Sequence, residues 1–272
     1  MGNRRRPFLT LVLALTALCI VLPMLILAVW SFADRWAWPN LVPVGLSLRA
    51  LGEVFAPYSN APRVLLSSVV LSLCVALAAT AVGTMSARAL VFFDFKGRNL
   101  ILFSSMLPIL VPATAFAMGI NVVLIRLGLA NTLAGVFLVH TIYALPYTVN
   151  IMLDMTRAVG DGLEMQARVL GAKPWRAFLF VTLPQLLPGM LSAVGMGYII
   201  SFSQYFLTLM VGGGKVITLS VLMVPIIQGG DRSLASVYAL LFVLSSLLVF
   251  ALFEAGVKRL VFGSSSAKQR GV

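Results

Sequence analysis

The sequence predicts an all-α integral membrane protein with six transmembrane helices and a cytoplasmic two-helix loop between the fourth and the fifth. Of its 272 residues 60% are hydrophobic and only 10% are charged, and the mean hydropathy is +1.03. The apolar residues gather in runs of roughly 20 or more, each long enough to cross about 30 Å of hydrocarbon, and a soluble domain has no use for such runs.

The spans read as approximately 8–31, 64–91, 100–125, 132–153, 187–211 and 235–257, in a single transmembrane domain over 1–272. The apolar stretch of the first exceeds the roughly 7 to 15 residues of a secretory signal. Leu18, before Cys19, is too large for a lipoprotein cleavage site, so a retained anchor is expected. Pro108 and Pro112 interrupt the third span and Pro146 the fourth, and each frees backbone carbonyls that need other partners. Cys19 and Cys74 fall inside spans and read as small core hydrophobes, without the spacing of a disulfide framework or a metal site.

Lysine and arginine set the orientation, because they collect on the cytoplasmic side. With the N-terminus inside, the inward segments carry Arg4, Arg5, Arg6, Arg88, Lys96, Arg98, Arg157, Arg168, Lys173, Arg176, Lys258, Arg259, Lys268 and Arg270. The outward ones carry Arg35, Arg49, Arg63, Arg126, Lys215 and Arg232. Both termini and the 154–186 loop are therefore expected in the cytoplasm. The same spread over short membrane loops accounts for the net charge of +12 without a nucleic-acid partner.

No energy source for transport is legible in the chain. Gly212–Gly213–Gly214–Lys215–Val216 lacks the leading glycine and final hydroxyl of a phosphate-binding loop. The acids Asp34, Glu53, Asp94, Asp161, Glu164 and Asp231 read as loop residues, and Asp154 and Glu254 lie near cytoplasmic span ends, so no carboxylate sits mid-membrane to carry a proton or sodium ion. His140, the single histidine, reads as a hydrogen-bonded packing residue.

The 154–186 loop reads as two short helices. Asp161 caps the first, with Glu164 completing a reciprocal capping box. Leu163, Ala167 and Leu170 form one apolar stripe, Met165 and Val169 lie on the other side, and Glu164 and Arg168 make an i, i+4 pair. Gly171 ends the helix. Pro174 opens the second, which aligns Trp175, Phe178, Leu179 and Thr182 before Leu183 and Pro184 stop it.

This segment resembles the cytoplasmic signature of permease subunits of binding-protein-dependent ABC importers: E-A-A, three residues, G, nine residues, I, one residue, then L-P. Met165, Gln166 and Ala167 stand at the E-A-A positions, Gly171 at the glycine, Val181 at the isoleucine, and Leu183 and Pro184 at the closing pair. Met165 replaces the family's Glu and Gln166 its first Ala, while Glu164 matches a second acid that many members carry.

The resemblance implies a type I ABC importer permease fold and a non-catalytic subunit of the bacterial inner membrane. It implies as partners two ATP-binding subunits that hold ATP and Mg, a second permease chain, identical or related, and a periplasmic or surface solute-binding protein. Leu163, Glu164, Met165, Gln166, Ala167, Arg168, Leu170, Gly171, Leu183 and Pro184 become candidates for coupling to the ATPase. The loop 30–63 and the span-five region are similar to the polyamine-type branch, in which Ser203 and Gln204 stand where an acidic pair is common. That branch suggests a polyamine, an aminophosphonate, iron or thiamine as solute.

Polar groups recur in span five before its glycine-rich end, so Tyr198, Ser201, Ser203, Gln204 and Tyr205 are candidates for lining the pathway, with interhelical packing the alternative for each. A self-contained channel or secondary carrier is the alternative to the importer. Small residues at four-residue spacing, Ala79, Gly83 and Ala87 in span two and Gly189, Ala193 and Gly197 in span five, allow close helix approach. Span two is expected to use them within the chain; span five is open between that and a second chain.

Overall fold

The computed structural model describes residues 5–34, 43 and 45–269. The described residues form twelve α-helices: α1 (Arg5–Ser31), α2 (Arg49–Phe55), α3 (Ala61–Phe92), α4 (Arg98–Leu110), α5 (Ala113–Arg126), α6 (Leu133–Val159), α7 (Gly162–Val169), α8 (Pro174–Ala177), α9 (Leu183–Phe202), α10 (Phe206–Gly212), α11 (Leu219–Gln228) and α12 (Arg232–Gln269). The only β pairing among them is an isolated bridge between Ala33 and Leu46. Arg35, Trp36 to Pro39, and Arg4 and Arg270 of the charge pattern lie outside the described residues.

Among the described residues, five helices are long and apolar enough to cross a membrane: α1, α3, α6, the run Pro174–Phe202 and the first part of α12. The pair α4 and α5 makes a sixth if taken as one broken span. The third span expected over 100–125 is two helices bent by 114°, broken at Pro112 and not at Pro108, which lies inside α4. Val111, ahead of Pro112, is extended at φ −90°, ψ 135°, because a residue before proline is driven out of the helical region. The fifth span is also broken: Ser203, Gln204 and Tyr205 separate α9 from α10.

The chain divides into two compact units. The first takes in residues 1–63 and 222–245. Here Arg49 bridges Glu53 (3.1 Å) and Asp231 (2.8 Å). Asp231 also accepts from the Leu234 backbone N–H at the start of α12, a capping arrangement.

The second unit covers 64–221 and 246–272. Its centre is α6 packed along α9. One cluster joins Leu71 and Val75 of α3, Leu124 of α5, Val139 of α6 and Leu207 of α10. A second, toward the loop, joins Leu90 of α3, Met152 of α6 and Leu186 of α9. In a bilayer such packing rests on close contact more than on escape from water, so small residues matter. A Cβ on Gly83 would lie 3.1 Å from the Thr148 backbone, and one on Gly197 3.2 Å from the Ala76 Cα. Gly189 faces Met155, and Ala79, Ala87 and Ala193 are fully buried. Both stripes therefore pack within this chain. Cys19 and Cys74 are exposed; as apolar groups on helices surrounded by hydrocarbon they need no protein partner, which corrects the core placement.

Candidate functional site

The loop expected from 154 starts later, because α6 continues to Val159 and ends at Gly160, whose φ of +67° lets the chain turn away. Helix α7 follows and closes with a Schellman motif. Gly171 N–H donates to the Arg168 carbonyl and Ala172 N–H to the Ala167 carbonyl, both at 3.0 Å, and Gly171 takes φ +91°. Pro174 occupies the first turn of α8, where its missing N–H costs nothing.

Leu183 and Pro184 do not stop the second helix. A π turn, Phe178–Thr182, links α8 to α9, with Leu183 N–H reaching back to the Phe178 carbonyl. Proline lacks the donor for the carbonyl four residues back and crowds it, and a widened turn ahead relieves that crowding. The Gln185 side-chain amide donates to the Val181 carbonyl at 2.7 Å. Pro174–Phe202 thereby runs continuously from the loop into the membrane.

The capping box is absent too: Asp161 makes no side-chain cap bond, because the Glu164 carboxylate is drawn elsewhere. Arg88, near the end of α3, donates through Nη2 to Glu164 Oε1 (3.1 Å) and Oε2 (2.9 Å). Thr182 Oγ1 donates to Oε2 at 2.6 Å. The Arg88 guanidinium carbon also lies 4.6 Å from the Phe178 ring centre and 5.5 Å from that of Phe92. Arg88 is held against two aromatic rings and already oriented toward Glu164, whereas Arg168 is exposed and would have to give up side-chain freedom to make the same bond. Arg168 instead approaches the Met165 sulfur at 3.9 Å, and the expected Glu164–Arg168 pair is not formed. A cavity of about 210 Å³ beside the cluster is lined by Arg88, Phe92, Phe93, Asp161, Glu164, Met165 and Arg168.

The outer side of α7 is uncovered. No residue of α7 is buried; Leu163 is 54%, Met165 49%, Val169 85% and Leu170 88% exposed. Gln166 and Arg168 are exposed and Ala167 half-buried. Trp175 is exposed, with the Arg176 guanidinium 5.2 Å from its ring, whereas Phe178 packs into the core. Large apolar side chains on this charged helix thus have nothing of this chain over them.

Of the span-five residues, Ser201 is buried and faces His140: His140 Nδ1 lies 2.9 Å from Ser201 Oγ and Nε2 2.9 Å from Thr208 Oγ1. The Gln204 carbonyl, freed by the break, accepts from Thr208 (2.7 Å) and Ser220 (2.8 Å). Tyr198 is buried and stacked on Phe202, ring centres 5.3 Å apart. Ser203 is exposed, and Gln204 and Tyr205 are half-buried. Arg88 and Thr182 were not singled out from sequence as site residues. The available signal was an arginine one turn from the end of an apolar span.

Broken apolar helices around a small-residue core, with a capped helix projecting from the loop, define a membrane transport subunit. The chain belongs to the binding-protein-dependent transport system inner membrane component family, whose model matches residues 79–262. It is 27% identical over 237 residues to the putrescine transport system permease protein PotI of Escherichia coli, covering 83% of this chain and 82% of that one. It is equally 27% identical, over 242 residues, to the putative 2-aminoethylphosphonate transport system permease protein PhnV of Salmonella typhimurium, covering 88% of this chain and 89% of PhnV. Its fold matches a chain of a bacterial ABC transporter involved in the import of the acidic polysaccharide alginate, with a TM-score of 0.68 at 16% identity over 95% of this chain and 98% of that one. It is thus an inner-membrane ABC importer permease of the type I fold.

Proposed function

We propose that this chain forms half of a solute pathway and that α7 is the helix received by a groove on a separate ATP-binding subunit. The two exposed apolar sides of α7 support this reading: helix-in-groove recognition needs apolar anchors at helical spacing, and Leu163 with Leu170 on one side and Met165 with Val169 on the other supply them. Two such ATPases, holding ATP and Mg, close on ATP and shift the spans through α7 of this chain and of a second permease. Both termini and the loop are cytoplasmic in this arrangement, and a binding protein delivers the solute from outside.

The relatives support a small amine-bearing solute, a polyamine or an aminophosphonate. No carboxylate lies between Glu164 and Asp231, so span five has no side-chain charge to pair with a polycation, which favours the zwitterionic aminophosphonate.

The test is purification in mild detergent. The ATPase is expected to co-purify with the native chain and to be lost with the paired substitution Val169→Asp and Leu170→Asp, while thermal unfolding is unchanged because neither residue is packed. Equal ATPase recovery with the variant, or solute uptake by this chain alone in ATP-free liposomes, would refute the reading.

A further inference from the structure

Arg88, Glu164, Thr182 and Phe178 come from three elements that the ATPase contact on α7 does not otherwise join. Glu164 is on α7, Thr182 and Phe178 are on the π turn at the foot of α9, and Arg88 is one turn from the cytoplasmic end of α3. The Glu164 carboxylate is nearly withdrawn from solvent, its side chain 11% exposed, and both oxygens are used. It is therefore committed inside the chain, not held out for a partner.

We infer that Arg88 is a positioning residue whose bond to Glu164, backed by Thr182 and by stacking on Phe178, makes α7, the foot of α9 and the end of α3 move as one piece. The inference rests on the reading of α7 as the ATPase-coupling helix. Helix α7 is short, and glycine turns at Gly160 and Gly171 flank it, so its own backbone links to α6 and α8 are pliant. A push on it without the cluster would be absorbed by those turns. With the cluster, the push reaches one span through Arg88 and another through Thr182. The geometry suits this load: a single guanidinium nitrogen, Nη2, reaches both carboxylate oxygens in charge-assisted bonds, and the nearby Phe178 and Phe92 rings hold the guanidinium where water competes least.

The experiment uses the whole importer, with its ATPase, second permease and binding protein, in proteoliposomes, and reads three quantities: ATPase retained, ATP hydrolysed, and solute imported per ATP. In Arg88→Gln the ATPase is expected to stay bound, while solute per ATP falls by about fivefold or more, the low end of what a coupling free energy between two sites supports. Arg88→Lys, which keeps the charge and loses the flat guanidinium packed on Phe178, falls between. The exchange of Arg88→Glu with Glu164→Arg recovers solute per ATP above either single change.

A second variant serves if the single changes lower expression. Glu164→Cys with Thr182→Cys, joined by a short bis-thiol reagent, restores solute per ATP relative to the unjoined pair, because a covalent tie replaces the lost one. Unchanged solute per ATP in Arg88→Gln, a proportional fall of hydrolysis and uptake, loss of the ATPase in Arg88→Gln alone, or a joined pair that stops transport would each overturn the inference. Failure of the native chain to retain any ATPase would instead overturn the reading of α7 itself.

Discussion

His140 illustrates how single residues hold the interior. Thr208 spends its hydroxyl proton on the Gln204 carbonyl, so its oxygen must accept from His140 Nε2–H, and Nδ1 is left to accept the Ser201 hydroxyl proton. For a neutral ring, donor counting places the proton on Nε2. The packing role expected from sequence is what the structure shows; its partners, on α9 and α10, were not legible, because they lie 61 and 68 residues away. His140→Leu should cost about 1–3 kcal/mol for each polar group left buried and unpaired, read as lowered thermal stability in detergent. Adding Ser201→Ala should recover part of the loss, since the two share one network.

At the scale of elements, the glycine at the end of α7 and the close approaches of α9 carry the sharpest expectations. A Cβ at Gly171 meets no neighbour, so Gly171→Val is opposed by backbone conformation alone, at about 1–2 kcal/mol for a left-handed residue and more for a β-branched one. The chain should insert and fold, but α7 should be misdirected and uptake lost; normal uptake would remove the turn from the mechanism. Gly197→Leu places atoms against the Ala76 backbone and should destabilise by about 1–3 kcal/mol or more through overpacking. The glycine turn and the Pro174 start were readable because they depend on local chain chemistry. The π turn that carries the helix past Pro184 was not, since proline both ends helices and is tolerated after a widened turn.

For the whole molecule, orientation makes a direct prediction. With both termini inside, cysteines placed at Lys96 and Lys173 in a chain with Cys19→Ser and Cys74→Ser should react with a membrane-impermeant maleimide only in inverted vesicles. One at Lys215 should react only in intact cells. The reverse pattern would invert the topology and remove α7 from the compartment of the ATPase. The same logic extends to the solute: competition by 2-aminoethylphosphonate exceeding that by putrescine is expected in whole-cell uptake, given a span five without carboxylates.

The all-helical membrane class, the long apolar helices and the loop with its glycine turn were set by hydrophobic run length and local backbone preference, all written along the chain. The destination of Glu164 was decided only in three dimensions. Along the chain Asp161 and Arg168 are its neighbours, and a capping box and an ion pair follow. In the fold, Arg88 arrives from 76 residues away with its guanidinium packed near the Phe178 and Phe92 rings, and this oriented cation displaces both local partners. The break in the third span was likewise legible at Pro112, but its 114° angle was not, because proline excludes a helical residue before it without fixing the direction the chain then takes.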